Sequence, residues 1–278
     1  MHFGTFLKDI DPDLYRQYVF ERYTDGEQRP KSVRDFDKLV VPQTTPIFDT
    51  LPSLDEVATR LDRLPDTNEA VQYCLARSID RKNFVKLYYI AHTKDIARLA
   101  PEKYGTMASE EPRLVLPFYN ERGKLTGVAM RALRGEALRY INAKFTEDDC
   151  LIFGLQDVDR LDQEFNPLPI YVLEGPLDSL FIPNSIAVAG VGFGKLDKLN
   201  LPKEQLCLIF DNEPRNRDVC RLMEQYIGLG YQIVVWPCME GKDINEMILN
   251  GVEPVPIIKA NTYSGMMAMA KFTEWRKC

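Results

Sequence analysis

Three short acidic motifs follow apolar runs in the C-terminal half of this 278-residue chain. The run 170–173 leads into Glu174-Gly175, and the run 206–210 into Asp211-Asn212-Glu213. The run 231–236 passes through 240–242 to Asp243-Ile244-Asn245-Glu246. Asp178 lies four residues after Glu174. That is one helical turn, so both carboxylates can face one edge. Clustered carboxylates repel, and burial without a partner disfavours their charged form. A hard divalent cation removes that penalty, and an oxygen-only ligand set that keeps some waters suits Mg²⁺. Helix capping is the rival explanation. It fits Asp211 and Asp243, because Asp is a favoured cap, and fits Glu174 poorly. Spacing alone therefore favours a metal site.

A second group is cationic. The chain carries a net charge of −6, yet residues 111–144 hold seven bases and three acids, a local net of +4. The bases are Arg113, Arg122, Lys124, Arg131, Arg134, Arg139 and Lys144. An acidic protein with a basic segment can hold a polyanion locally, although a solvated face accounts for charge alone equally well. Arg suits bidentate phosphate contacts. Arg113, Lys124, Arg131, Arg139 and Lys144 are the candidates to hold such a polyanion.

Other chemistry is excluded. The six cysteines contain no C-x-x-C pair, and there are only two histidines, so no zinc-ribbon spacing exists. Cys207, inside an apolar run, reads as a buried inert thiol, and the cysteine usage fits a reducing cytoplasm. No apolar run reaches membrane-spanning length, and the N-terminus lacks a secretory pattern.

Elements must deliver these groups. Residues 1–28 carry helical spacing, with Asp11-Pro12 as a helix start, and the proline-bearing stretch 27–52 reads as a linker. Residues 53–98 are expected to be helical, opening on a Ser53/Glu56 capping box. From 113 the pattern is a hairpin turning at 121–124, then a short strand at 139–145. From 169, β-branched runs alternate with amphipathic helices, which predicts βαβ units and a mainly parallel sheet. The expected class is α/β: a mixed α+β N-terminal subdomain followed by a parallel α/β domain. Boundaries are expected at 1–52 (helix and linker), 53–168 (helical, then a basic β-rich subdomain), 169–250 (the α/β domain) and 251–278 (a C-terminal helical segment). In that last segment, the methionine-rich helix at 264–272 is expected to pack on its own domain. Ligands of such sheets bind beyond the carboxyl ends of the strands, where the acids lie.

The motifs Glu174-Gly175, Asp211-Asn212-Glu213 and Lys242-Asp243-Ile244-Asn245-Glu246 resemble the Toprim domain shared by bacterial-type primases, type IA and II topoisomerases and some nucleases. Arg113, Pro117, Asn120, Gly123, Gly127 and Arg131, then Arg139, Tyr140 and Asn142, resemble the basic segment that precedes Toprim in primases. Nearly the whole chain is similar, in motif order, to the primases of T-even-like phages. The resemblance implies RNA-primer synthesis on single-stranded DNA for lagging-strand replication, by nucleotidyl transfer with Mg²⁺ or Mn²⁺. It implies Glu174, Asp211 and Asp243 as catalytic, and Glu174, Asp211, Glu213 and Asp243 as metal ligands, with Glu174 alternatively the proton acceptor. Asp178 and Asn245 would support the site. Arg113, Lys124, Arg131, Arg139 and Lys144 would contact template phosphates or the incoming triphosphate, and Tyr140 and Asn142 would lie beside the nascent duplex. Ribonucleoside triphosphates, the template and a replicative helicase are the implied partners, in the host cytoplasm if the chain is phage-encoded. Two features depart from the pattern. Glu213 replaces the second Asp of the usual D-x-D, and Asn245 stands where some members carry an acid. Family members also bind Zn²⁺ in an N-terminal module that this chain is expected to lack, by truncation or because another polypeptide supplies it. A Toprim-type nuclease and a non-catalytic DNA-binding replication adaptor are the alternatives.

Overall fold

A computed structural model describes residues 53–145, 150–188, 193–194, 196–199 and 201–278, within a compact unit spanning 51–278. The helix and linker expected over 1–52 lie outside the described residues. Among the described residues no helix is long and apolar enough to cross a membrane.

Two sheets organise the unit. The first contains β1 (Thr59–Arg60), β2 (Tyr88–Ile90), β3 (Arg113–Tyr119), β4 (Leu125–Ala132) and β5 (Tyr140–Lys144), antiparallel and adjacent in chain order. Side chains alternate across a strand. Leu114, Leu116, Phe118 and Ala129 therefore enter the main core, while Val115, Val128 and Met130 enter a smaller core on the other face. Burial on both faces explains why the β3 and β4 sequences are apolar almost throughout. The β3–β4 hairpin turns where expected. Asn120 Oδ1 accepts hydrogen bonds from the backbone amides of Arg122 and Lys124, both at 3.0 Å. Gly127 sits where a Cβ would lie 2.5 Å from the Ala143 carbonyl and 2.6 Å from Leu151 Cδ2. Only glycine admits that approach.

The second sheet is ordered β11-β10-β9-β7-β8-β6: β6 (Ile152–Phe153), β7 (Ile170–Leu173), β8 (Ser185–Val188), β9 (Leu206–Leu208), β10 (Gln232–Val234) and β11 (Thr262–Tyr263). The four central strands are parallel, and β6 and β11 are antiparallel edges. The mixed α/β class and the mainly parallel second sheet were both legible in the sequence. The sheet also recruits β6, before residue 169, and β11, after residue 250.

Helices are short. They are α1 (Glu69–Ala76), α2 (Pro101–Tyr104), α3 (Pro176–Ser179), α4 (Arg217–Gly228), α5 (Ile244–Leu249), α6 (Pro254–Ala260) and α7 (Gly265–Trp275). In α4, Cys220, Met223, Tyr226 and Ile227 form the buried stripe, and each large apolar side chain contributes roughly 1.5–3 kcal/mol. The Asn216 side chain caps its start, and Gly230, at φ +84°, follows its end. Helix α7 buries Ala268, Phe272 and Trp275, so it packs on its own domain as expected.

The expectation of helix across 53–98 needs correction. The Ser53/Glu56 capping box is present, but it opens a single 3₁₀ turn. Only α1 is α-helical there; β1 and β2 interrupt the stretch. Tyr88-Tyr89-Ile90 pair with Arg113–Val115, and that tertiary ladder overrides local helix preference.

Candidate active site

The chain runs from β7 to β8 on one side, then crosses to β9 on the other side of β7. The crevice beyond the carboxyl ends of β7 and β9 is thus a topological switch point, where open α/β sheets bind ligands. Glu174 directly follows β7, Asp211 follows β9, and Asp243 lies beyond β10. With Asp178 on α3, these acids line one cavity of about 350 Å³. Its opposite wall comes from the first sheet: Ala129 and Arg131 on β4, Arg139, and Tyr140 and Asn142 on β5. Arg77, just after α1, and Lys242 complete it.

The acids bear on one another. Burial pushes the Asp211 carboxyl up to about 7, with the charges of Asp178, Glu174, Asp243 and Glu213 adding to the effect. Asp178 is also raised, by burial and then Asp243, against the opposing pull of the Asn245 amide, Arg77 and Arg131. Glu174 is raised by burial and by Glu213. Gly175 makes room for this cluster, because a Cβ there would stand 2.3 Å from Asp178 Oδ2.

Capping divides the acids. Asp243 does cap a helix: its Oδ1 accepts from the Glu246 amide at 2.8 Å at the start of α5. Asp211 does not, since α4 starts six residues later at Arg217 and is capped by Asn216. Glu213 accepts from Asn216 Nδ2 at 3.1 Å and acts on the cavity through its charge. Asn245 is 4% exposed, its Nδ2 donates to the Arg77 carbonyl at 2.6 Å, and its amide donates to Asp178 Oδ1 at 3.1 Å. It ties two parts of the cavity wall together.

The basic candidates separate. Arg131, Arg139, Tyr140 and Asn142 line the cavity. Arg131 donates to the Tyr140 hydroxyl at 3.0 Å, its guanidinium 4.9 Å from that ring centre. Arg113 is elsewhere: 2% exposed, it donates to the carbonyls of Leu138 (2.9 Å) and Met130 (3.3 Å). Its guanidinium closes the β4–β5 connection. Arg134 pairs with Glu69. Lys124 stands in the β3–β4 turn, about 20 Å along β4 from Arg131 by strand rise. Lys144 lies at the far end of β5, opposite Gly127, with its backbone bonded to the Tyr104 hydroxyl. Sequence reasoning missed Arg77, whose location after a short helix carries no motif. It quoted Lys242 within a motif without giving it a role.

Among the described residues no group of three or more His, Cys, Asp or Glu side chains forms a ready-made metal cage. Mg²⁺ does not require one, since it keeps several waters and binds through one or two carboxylates. An oxygen-only set of mutually raised carboxylates at the switch point fits such a cation.

No protein-family model matches the chain. Solved structures similar in fold include primase catalytic cores. A DnaG primase catalytic domain bound to single-stranded DNA aligns with TM-score 0.57 and 15% identity, over 78% of this chain and 77% of that one. The E. coli primase catalytic core aligns with TM-score 0.52 and 14% identity, over 78% and 76%. The RNA polymerase domain of Mycobacterium tuberculosis primase DnaG gives 0.52 and 16%, over 72% and 77%. In sequence, the DNA primase of Enterobacteria phage T4 is 34% identical over 284 residues, covering 99% of this chain and 78% of that protein. The chain belongs to this DNA primase family. Its activity is that of a primase, a nucleotidyltransferase that makes RNA primers on DNA, and the nuclease and adaptor alternatives are not favoured.

Proposed function

We propose that the cavity between the two sheets is where nucleotides are joined, with Mg²⁺ or Mn²⁺ held by Asp211, Asp243 and Glu174 of a Toprim-type site. The observation carrying this reading is the meeting of acids beyond three parallel strands with an arginine-bearing wall from the other sheet. When bound, divalent cations there would favour ionisation of the primer 3′-hydroxyl and neutralise charge building on the phosphates. Asp211 belongs at the cation, because raised, mutually repelling carboxyls gain most from a counter-charge. Glu174, which lines the cavity at the end of β7, would bind cation or accept the hydroxyl proton. Asp243 spends one oxygen on the α5 cap, which fixes the direction of the other. Glu213 is assigned to the surrounding field, and Asp178 and Asn245 to positioning. Arg131 and Arg139 orient phosphates, while Tyr140 and Asn142 border the template–primer path. Single-stranded DNA and ribonucleoside triphosphates are the ligands.

The test is synthesis on single-stranded DNA with labelled ribonucleotides and Mg²⁺, beside an Asp211→Ala variant. Short RNA products that vanish in the variant are expected. A parallel reaction supplies a pre-annealed RNA primer, and extension there alone would separate bond formation from initiation. Metal-dependent nicking without synthesis in either reaction would overturn the reading.

A further inference from the structure

We infer that Asn212, itself held by Trp275 of the C-terminal helix, is a positioning residue that fixes Asp211 against Asp243 and so sets how tightly the site holds its divalent cation. The inference rests on the metal-site reading above and adds to it two residues outside the ligand set.

The paired residues of β9 and β10 end before either carboxylate: Asp211 follows β9, and Asp243 lies nine residues beyond β10. The sheet ladder therefore does not set their separation. Their chain neighbours meet instead. The Asn212 amide donates to the Lys242 carbonyl at 2.6 Å. Asn212 Nδ2 donates to the carbonyls of Gly241 (3.0 Å) and Met239 (3.4 Å). Each carboxylate is thus one residue from a hydrogen-bonded joint between the two loops. Gly241 permits the path of the second loop: it stands at φ +95°, and a Cβ there would lie 2.8 Å from Met247 Cγ.

The remaining amide oxygen is taken from outside both loops. Trp275 Nε1 donates to Asn212 Oδ1 at 3.0 Å. An indole N–H only donates and a carbonyl only accepts, so the partners dictate which end of the Asn212 amide faces which way. Trp275 closes α7, is 7% exposed and packs on Phe272 with ring centres 6.2 Å apart. Two residues on, the Lys277 amide donates to the Pro214 carbonyl at 2.8 Å, so the end of α7 grips the loop on both sides of Glu213. A neutral amide suits this place, because it bridges carbonyls and an N–H donor without adding charge beside the acids. Mutually repelling carboxylates separate unless their backbones are held, and hydrogen-bonded groups behind the ligands supply that hold.

The experiment measures Mn²⁺ binding to the full chain without substrates, by electron paramagnetic resonance of the free ion. It compares wild type, Asn212→Ala, Trp275→Phe and the double variant, with Asp211→Ala as the control for the site and circular dichroism for folding. Asn212→Ala is expected to raise the dissociation constant about ten-fold or more. Trp275→Phe, which keeps a ring and removes one donor, should raise it about three-fold. The double variant should match Asn212→Ala alone, because Trp275 acts through Asn212, whereas independent effects would add. In primer extension, the Mg²⁺ needed for half-maximal rate should rise in parallel, while the nucleotide KM at saturating Mg²⁺ stays within two-fold of wild type. A folded Asn212→Ala that binds Mn²⁺ as wild type does would overturn the inference, as would additive losses in the double variant. Should Asn212→Ala not fold, Trp275→Phe decides: weakened binding supports the inference and unchanged binding overturns it. Wild type that binds no more Mn²⁺ than Asp211→Ala would bring down the metal-site reading and this inference with it. Binding in wild type that both variants share would bring down the inference alone.

Discussion

The environment of Asp211 works against its charge, through burial and four neighbouring carboxylates. Its carboxyl stands at about 7 against an ordinary 3.8. The folded chain therefore holds a proton between those values that the unfolded chain has released. Stability falls as pH rises from about 4 to about 7, and levels off above. In EDTA, Asp211→Asn is expected to melt above wild type at pH 8 and level with it near pH 4. The difference is roughly 1–2 kcal/mol once solvent screening is allowed for. Mg²⁺ reverses the sign, because it competes with the proton, so its stabilisation of wild type should grow through pH 7 and be lost in the variant. Thermal melts across pH, with and without Mg²⁺, measure both. A wild-type melt in EDTA that rises through this window relative to Asp211→Asn would refute the account.

At the scale of elements, the β7–α3 junction sets where the acids stand. Gly175 lets Asp178 fold back toward the cavity, and an alanine Cβ would meet its Oδ2 at 2.3 Å. Gly175→Ala should keep the fold, since its φ of −93° suits any residue, yet displace Asp178. A shift of about 1 Å in such a site costs on the order of a hundred-fold in rate. Primer extension checks this, with circular dichroism as the control for folding. Helix α4 offers the contrast. Asn216→Ala removes its cap and should lower stability by about 1 kcal/mol in urea titration.

Across the whole molecule, the two sheets divide the work: one supplies acids, the other a cationic wall. That division separates two arginines that look alike in the sequence. Arg139 is exposed at the cavity, so Arg139→Ala should flatten the salt dependence of single-stranded DNA binding by about one unit of slope. Arg113 is interior and binds carbonyls, so Arg113→Met should leave that slope unchanged and reduce stability by roughly 1–3 kcal/mol. Anisotropy titrations at several salt concentrations, with melts alongside, distinguish the two. A reduced slope in a well-folded Arg113→Met would contradict the structural assignment.

Strand and helix order in the second sheet was readable from the residues because apolar β-branched runs and amphipathic runs differ in period. So was the arrival of Glu174, Asp211 and Asp243 at one edge, because parallel strands share a direction and carboxyl-end loops share a side. The basic hairpin announced itself through its turn residues. What stayed hidden depended on contacts distant in sequence. The tyrosine strand at 88–90 takes its form from β3, not from its own propensity. Whether an arginine is a core strut or a phosphate contact depends on which face of which sheet it lands on, and charge counting is blind to that. Arg77 lines the cavity from a helix end whose carbonyl is held by Asn245, 168 positions away. The sequence by itself determined the family, the sheet and the acids; only the tertiary structure decided which cations oppose them, since that opposition exists nowhere but between the two sheets.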